Sequence, residues 1–178
     1  MVTVVIPCKN EGLNLINTIL TVPTRLPVIV ADSSTDNTLQ LLPENIQVVQ
    51  GGLPSIARNN GAKEVLTPYI LFLDADMDIS RVPLDKIVQD VIEKDYDLVT
   101  TKIVTRGKYS IFYKLFYYIQ KLISLQYPFA IGGFMLFKTE YFRKVGGFNE
   151  EDLFAEDYHL SMKVSPKRFK IYKDRKST

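Results

Sequence analysis

The 178 residues include no tryptophan, one cysteine (Cys8) and one histidine (His159). A single cysteine excludes an intrachain disulfide, so a reducing, cytoplasmic setting is expected. Beside an apolar strand, Cys8 reads as a small buried hydrophobe rather than a catalytic thiol. No run reaches the roughly 20 apolar residues that a membrane-spanning helix needs, and the chain is expected to open on a strand without a signal peptide. Charge of one sign is lacking too. With 22 Lys and Arg against 20 Asp and Glu, the chain does not read as a nucleic-acid binder that works by neutralising phosphates. No linker, low-complexity segment or internal repeat divides the sequence, and its length suits one domain over 1–178 with a sizeable core.

Short runs rich in β-branched residues recur at Val2 to Ile6, Val28 to Ala31, Ile46 to Gln50, Tyr69 to Leu73 and Leu98 to Val104. The intervals carry helical patterns: Leu13, Ile16, Ile19 and Leu20 in one, Pro54 to Val65 in the next, and Leu84, Ile87, Val88 and Val91 in a third. This alternation predicts an α/β fold, a mostly parallel sheet flanked by helices. Phe134 to Phe137 is a further strand, and a short helix ends near Val145.

The run Tyr69 to Leu73 is the most apolar short stretch, and Asp74-Ala75-Asp76 follows it directly. Two carboxylates thus stand where a buried strand emerges, which is where open α/β sheets bind ligands. An Asp-x-Asp pair there suits a hard divalent cation, since Mg²⁺ is commonly held by one or two carboxylates together with substrate phosphates. A diphosphate-bearing substrate is expected. A strand-end turn with Asp side chains bonded to local backbone is the plain structural alternative. At the second strand end, Asp32 can accept a hydrogen bond from the ring N–H of uracil or guanine, which adenine lacks at the equivalent edge.

These segments stand in a fixed order: Val4 to Glu11, Val28 to Asp36, Ala57-Arg58-Asn59-Asn60-Gly61, the Asp pair, then Gly146-Gly147-Phe148 and Ala155-Glu156-Asp157. In that order the chain resembles the inverting family 2 glycosyltransferases of the GT-A fold, from Val4 to about Lys173. The resemblance implies a nucleotide-sugar site made of Pro7, Lys9, Glu11, Asp32, Arg58, Asp74 and Ala75, with Mn²⁺ or Mg²⁺ held by Asp76 and Asp74. It implies a general base at Asp157 with Glu156 beside it, and transfer from a UDP or GDP sugar to a hydroxyl acceptor, such as a lipid-linked glycan. Departures from the family pattern are Ala31-Asp32-Ser33-Ser34 in place of Asp-Asp-Gly-Ser, Lys9 where Tyr is common, and His159 and Lys163 where a second Asp and an Arg often follow. The Gln-x-x-Arg-Trp motif of processive relatives is absent, so single-sugar transfer is expected.

Competing readings are a polyprenyl-phosphate glycosyltransferase, a sugar-1-phosphate nucleotidyltransferase and a non-catalytic sugar-nucleotide-binding module at a membrane. The second would call for a glycine-rich first loop with Arg and a catalytic Lys, which Pro7 to Gly12 does not supply. The third has no use for a base.

Tyr109 to Gln126 predicts a long helix with a polar stripe of Ser110, Lys114, Tyr117, Lys121 and Ser124. Its broad apolar arc, with Phe112, Phe116, Tyr118, Ile119, Leu122 and Ile123 and with Lys108, Lys114 and Lys121 able to snorkel, fits a helix lying in a membrane surface. A homodimer interface or plain burial would give the same pattern. The segment 163–178 is expected to be a basic tail that favours an anionic leaflet, placing the protein peripherally at the inner face of the cell membrane.

Overall fold

The computed structural model describes residues 1–102 and 110–172, leaving aside the side chains of 110–114. The strands are β1 (Val2–Cys8), β2 (Val28–Asp32), β3 (Gln47–Gln50), β4 (Tyr69–Leu73), β5 (Leu98–Thr101), β6 (Phe134–Lys138) and β7 (Phe169–Tyr172). They form one sheet in the order β3-β2-β1-β4-β6-β5-β7. Only β6 runs antiparallel to its neighbours, pairing Leu73 with Phe134 and Val99 with Leu136.

Helices cover both faces: α1 (Leu13–Thr21), α2 (Pro54–Lys63), α3 (Leu84–Glu93), α4 (Ser110–Ile123), α5 (Thr139–Lys144) and α6 (Glu156–Met162). Along β4 the side chains alternate between two cores. Leu71 and Leu73 pack with Leu15, Ile87 and Leu136, while Ile70 and Phe72 pack with Val65, Phe142, Phe148 and Leu160. Burial on both faces explains why β4 reads as an unbroken apolar run rather than an alternating one.

Two expectations need correction. The segment 163–178 is not a free tail throughout, because residues 163–172 fold back onto the domain. Phe169 is buried, β7 pairs in parallel with β5, and Arg168 forms ion pairs with Asp95 and Asp97. Charge spacing hid this strand, since its single lysine, Lys170, is exposed at an edge position and basic residues flank it in sequence. Lys173, Arg175 and Lys176 lie outside the described residues. The second correction concerns α4: Tyr117, Gln120 and Ser124 are buried, while Leu115, Tyr118, Ile119 and Leu122 are exposed. Of the expected polar stripe, Tyr117 and Ser124 face inward while Lys121 is exposed; Gln120, outside that stripe, is buried as well, its Nε2 donating to Phe129 O (2.7 Å), and Phe129 N donates to Ser124 Oγ (3.2 Å). Tyr109, Lys108 and the side chains of Ser110, Phe112 and Lys114 lie outside what is described.

Candidate active site

The chain reverses direction across the sheet at β1, with β2 on one side of it and β4 on the other, and the carboxyl ends of these parallel strands share one edge. A ligand crevice belongs at such a switch point. A cavity of about 340 Å³ opens there, and Pro7, Lys9, Glu11, Asp74, Asp76 and Glu156 are among its lining residues. The loop after β1 and the turn after β4 thus meet the N-terminus of α6, which lies more than 70 residues further along the chain.

Arg58, on α2, organises this meeting. It is buried, donates from Nη2 to Asp74 Oδ1 (2.8 Å) and from Nη1 to Glu156 Oε1 (2.6 Å), and lies over the Phe148 ring at 5.4 Å from its centroid. The neighbouring Asn59 grips the loop before α6, donating to Phe148 O (2.9 Å) and accepting from Phe148 N (3.0 Å). Gly61, one turn on, meets β1 so closely that a Cβ would come within 2.3 Å of Val5 Cγ1. Burial opposes the Arg58 charge, and the Asp74 and Glu156 carboxylates outweigh that cost and hold its pKa above the usual guanidinium value.

The acids fall into distinct environments. Asp76 is exposed and accepts no hydrogen bond from the described residues, whereas Asp74 is only partly exposed. Thr18 Oγ1 donates to Ala75 O (2.7 Å), which anchors the Asp-Ala-Asp turn to α1. Asp157 does not line the cavity. Its Oδ2 accepts from Gly132 N (2.6 Å) and its Oδ1 from Tyr158 N (2.7 Å), and burial outweighs these amides to raise its pKa above the ordinary aspartate value. A Cβ at Gly132 would stand 2.9 Å from Arg58 Nη2 and 3.5 Å from Asp157 Oδ2, so a larger residue there would have to displace the Arg58 guanidinium.

Asp32 is likewise buried beside the cavity rather than in its lining. It accepts from Ser34 N (3.0 Å) and Ser34 Oγ (2.7 Å). Asp78 accepts from Ser80 N (2.9 Å) as an exposed turn residue. Burial pushes the Cys8 thiol up to about 11, so it stays protonated at neutral pH and is no nucleophile. His159 is exposed and its Nδ1 lies 2.8 Å from Asp152 Oδ2, away from the Asp pair.

Among the described residues, no three His, Cys, Asp or Glu side chains gather into a preformed metal cage. Asp74 and Asp76 nevertheless fit a hard divalent cation of the kind that completes its shell with phosphate oxygens and water. Asp76 is uncommitted, and Asp74 keeps its Oδ2 clear of the Arg58 bond.

A sequence profile described as Glycosyl transferase family 2 matches residues 3–146. The chain belongs to this family. Its fold is that of TarS of S. aureus, with TM-score 0.75 at 21% identity over 98% of this chain and 35% of that one. It is also that of the mannosyltransferase PcManGT of Pyrobaculum calidifontis, solved with GDP-Man and Mn²⁺, with TM-score 0.74 at 21% identity over 97% of this chain and 54% of that one. Glucosyl-3-phosphoglycerate synthase of Mycobacterium tuberculosis, solved with phosphoglyceric acid, follows at TM-score 0.66 and 15% identity, over 100% of this chain and 73% of that one. This family 2 chain thus spans about a third to a half of the first two structures' length. No curated protein sequence matches it.

Sequence reasoning missed two parts of this GT-A site. Asn59 was visible inside the Ala57 to Gly61 motif, but nothing local showed that it holds the Phe148 loop. The Gly132 amide was hidden because the chain reads Gly132-Gly133 as a turn, and only the fold brings it to Asp157.

Proposed function

We propose that this chain transfers a sugar from a UDP or GDP sugar to a hydroxyl acceptor with inversion at the anomeric carbon, assisted by Mn²⁺ or Mg²⁺. The observation that carries this reading is the cavity at the β1–β4 switch point, where Asp74 and Asp76 from the turn after β4, Arg58 from α2 and Glu156 from α6 converge from three separate segments. The ligands with which the structural neighbours were solved support the donor class: UDP-GlcNAc for TarS, and GDP-Man with Mn²⁺ for PcManGT.

The roles follow from the environments. Pro7, Lys9 and Glu11 border the nucleoside end of the donor. Asp76, with Asp74, would hold the cation, whose chemistry is to neutralise charge developing on the departing diphosphate. The acceptor oxygen bonds to the anomeric carbon as the bond from that carbon to the diphosphate oxygen breaks. The electron pair leaves with the nucleoside diphosphate, and the acceptor proton passes to a carboxylate. Glu156 has its Oε1 occupied by the Arg58 guanidinium. Asp157 is held in orientation by two amides, retains a second lone pair on each oxygen, and has its basicity raised by burial. It is the better base, because general-base efficiency improves as the pKa approaches the working pH.

The test is product analysis with a panel of nucleotide sugars. Release of nucleoside diphosphate together with an inverted glycoside is expected, and release of pyrophosphate would overturn the proposal.

A further inference from the structure

We propose that the outer face of α4 docks onto an anionic lipid surface. A helix on the surface of a water-soluble domain turns its apolar stripe inward and its polar residues outward. Helix α4 does the reverse. Gln120 and Ser124 are buried and hydrogen-bonded to the Phe129 backbone, while Leu115, Tyr118, Ile119 and Leu122, spaced three and four residues apart, are exposed at 59%, 62%, 45% and 70%. Leu125 prolongs the stripe beyond the helix end at 72%. Scattered exposed hydrophobes are ordinary, but a contiguous row of this size marks an interaction surface.

Charge selects the occupant. Between Asp97 and Glu140 the sequence has no acidic residue, yet it carries Lys102, Arg106, Lys108, Lys114, Lys121 and Lys138. Lys121 is exposed on α4 itself. A two-fold pairing with a second copy would set this acid-free segment against itself, whereas an anionic headgroup layer supplies the opposite charge. Among the described residues no helix is long and apolar enough to cross a membrane, so α4 lies in the interface plane, with its leucines below the headgroups and its lysine at their level. The face connects to the proposed chemistry through ring contacts of Phe116 with Phe129 (5.9 Å) and of Phe129 with Tyr158 (5.1 Å), the residue next to Asp157.

The inference stands on α4 and not on the transfer reaction, so its test uses neither donor nor metal. The full chain is sedimented with vesicles of phosphatidylcholine alone and of phosphatidylcholine with phosphatidylglycerol. Binding to the anionic vesicles is expected. The double variant Leu115→Ser/Leu122→Ser should weaken it at least about tenfold with little change in melting temperature, since both side chains already face water. Lys121→Glu, which leaves the apolar row intact, should weaken it about tenfold or more, and it decides the matter alone if the double variant unfolds. Absence of sedimentation with anionic vesicles, or equal sedimentation of wild type and Lys121→Glu, overturns the proposal. So does a wild-type dimer in analytical ultracentrifugation that the double variant dissociates and that fails to bind vesicles, which would assign the face to a second copy.

Discussion

Removing the Arg58 guanidinium tests the electrostatic frame of the site. In Arg58→Ala, the carboxylates of Asp74 and Glu156, with side-chain exposures of 36% and 15%, would face each other across α2 without their shared cation. Breaking a buried pair by deleting one partner costs about 3–5 kcal/mol. The lower end, about 3 kcal/mol, applies because Asp74 keeps some access to water, which screens its charge. For a chain of this length that is a fall in melting temperature of about 6–12 °C. Arg58→Lys keeps the charge but not the planar fork, so its ammonium can serve one carboxylate well and not both; about half the loss is expected. The assay is thermal unfolding at pH 7, with Arg58→Met alongside as a variant that keeps a long side chain over Phe148 without the charge. If the loss is electrostatic, Arg58→Met must lose about as much as Arg58→Ala. A gap of under 1 °C between wild type and Arg58→Ala would refute the buried-strap reasoning. A loss confined to Arg58→Ala would assign the effect to lost packing on Phe148.

Asp76→Asn should abolish metal-dependent donor binding in calorimetry while leaving the melting temperature unchanged, because the side chain is exposed and unpartnered among the described residues; retained affinity removes its ligand role. Gly61→Ala should cost about 2 kcal/mol, or about 4–8 °C in melting, through the 2.3 Å clash with Val5. Asp157→Asn should lower turnover by about 10² to 10⁴ with a hydroxyl acceptor and leave donor affinity intact; near-normal turnover would favour an already ionised lipid phosphate acceptor. In the wild type, the acid limb of kcat/KM should fall above the ordinary aspartate value, since burial raises the Asp157 pKa, and a limb at or below that value removes Asp157 as its source.

Strand β4 and the Asp pair were legible because each has a local cause: an apolar run buried on both faces, then carboxylates at its end. The segment Leu13 to Thr21 and the helix from Pro54 could be read for the same reason. Helix α4 was only partly legible: its exposed apolar arc could be read, but Tyr117 and Ser124 were assigned to a polar stripe facing water, while both are buried and Ser124 satisfies itself on the Phe129 backbone. Strand β7 was hidden by the same kind of assumption about lysines. At the site, the residues were visible but their partnerships were not. Arg58 and Glu156 are 98 positions apart, and no spacing rule connects them. Their ion pair also changes the meaning of Arg58: a residue expected at the donor has its guanidinium committed to two carboxylates.

That commitment bears on how a diphosphate can enter at all. Glu11, Asp74, Asp76 and Glu156 line the cavity against only Lys9 and Arg58, and the Arg58 charge is already shared between two of the acids. A phosphate charge about 4 Å from Asp76 meets a repulsion of about 4 kcal/mol at an effective dielectric near 20, roughly a thousandfold in affinity. Under the proposed transfer, donor binding would therefore call for an added divalent cation, and the uncommitted Asp76 carboxylate is where the site would accept it. A cation close to the base would depress the base's pKa and spoil it. Asp157 avoids this conflict by position, since it is turned away from the cavity lining and bonded to the amides of Gly132 and Tyr158. In the proposed reaction the two acidic motifs need opposite electrostatics, one exposed and ion-seeking, the other half-buried and basic, and Arg58 and Gly132 stand between them.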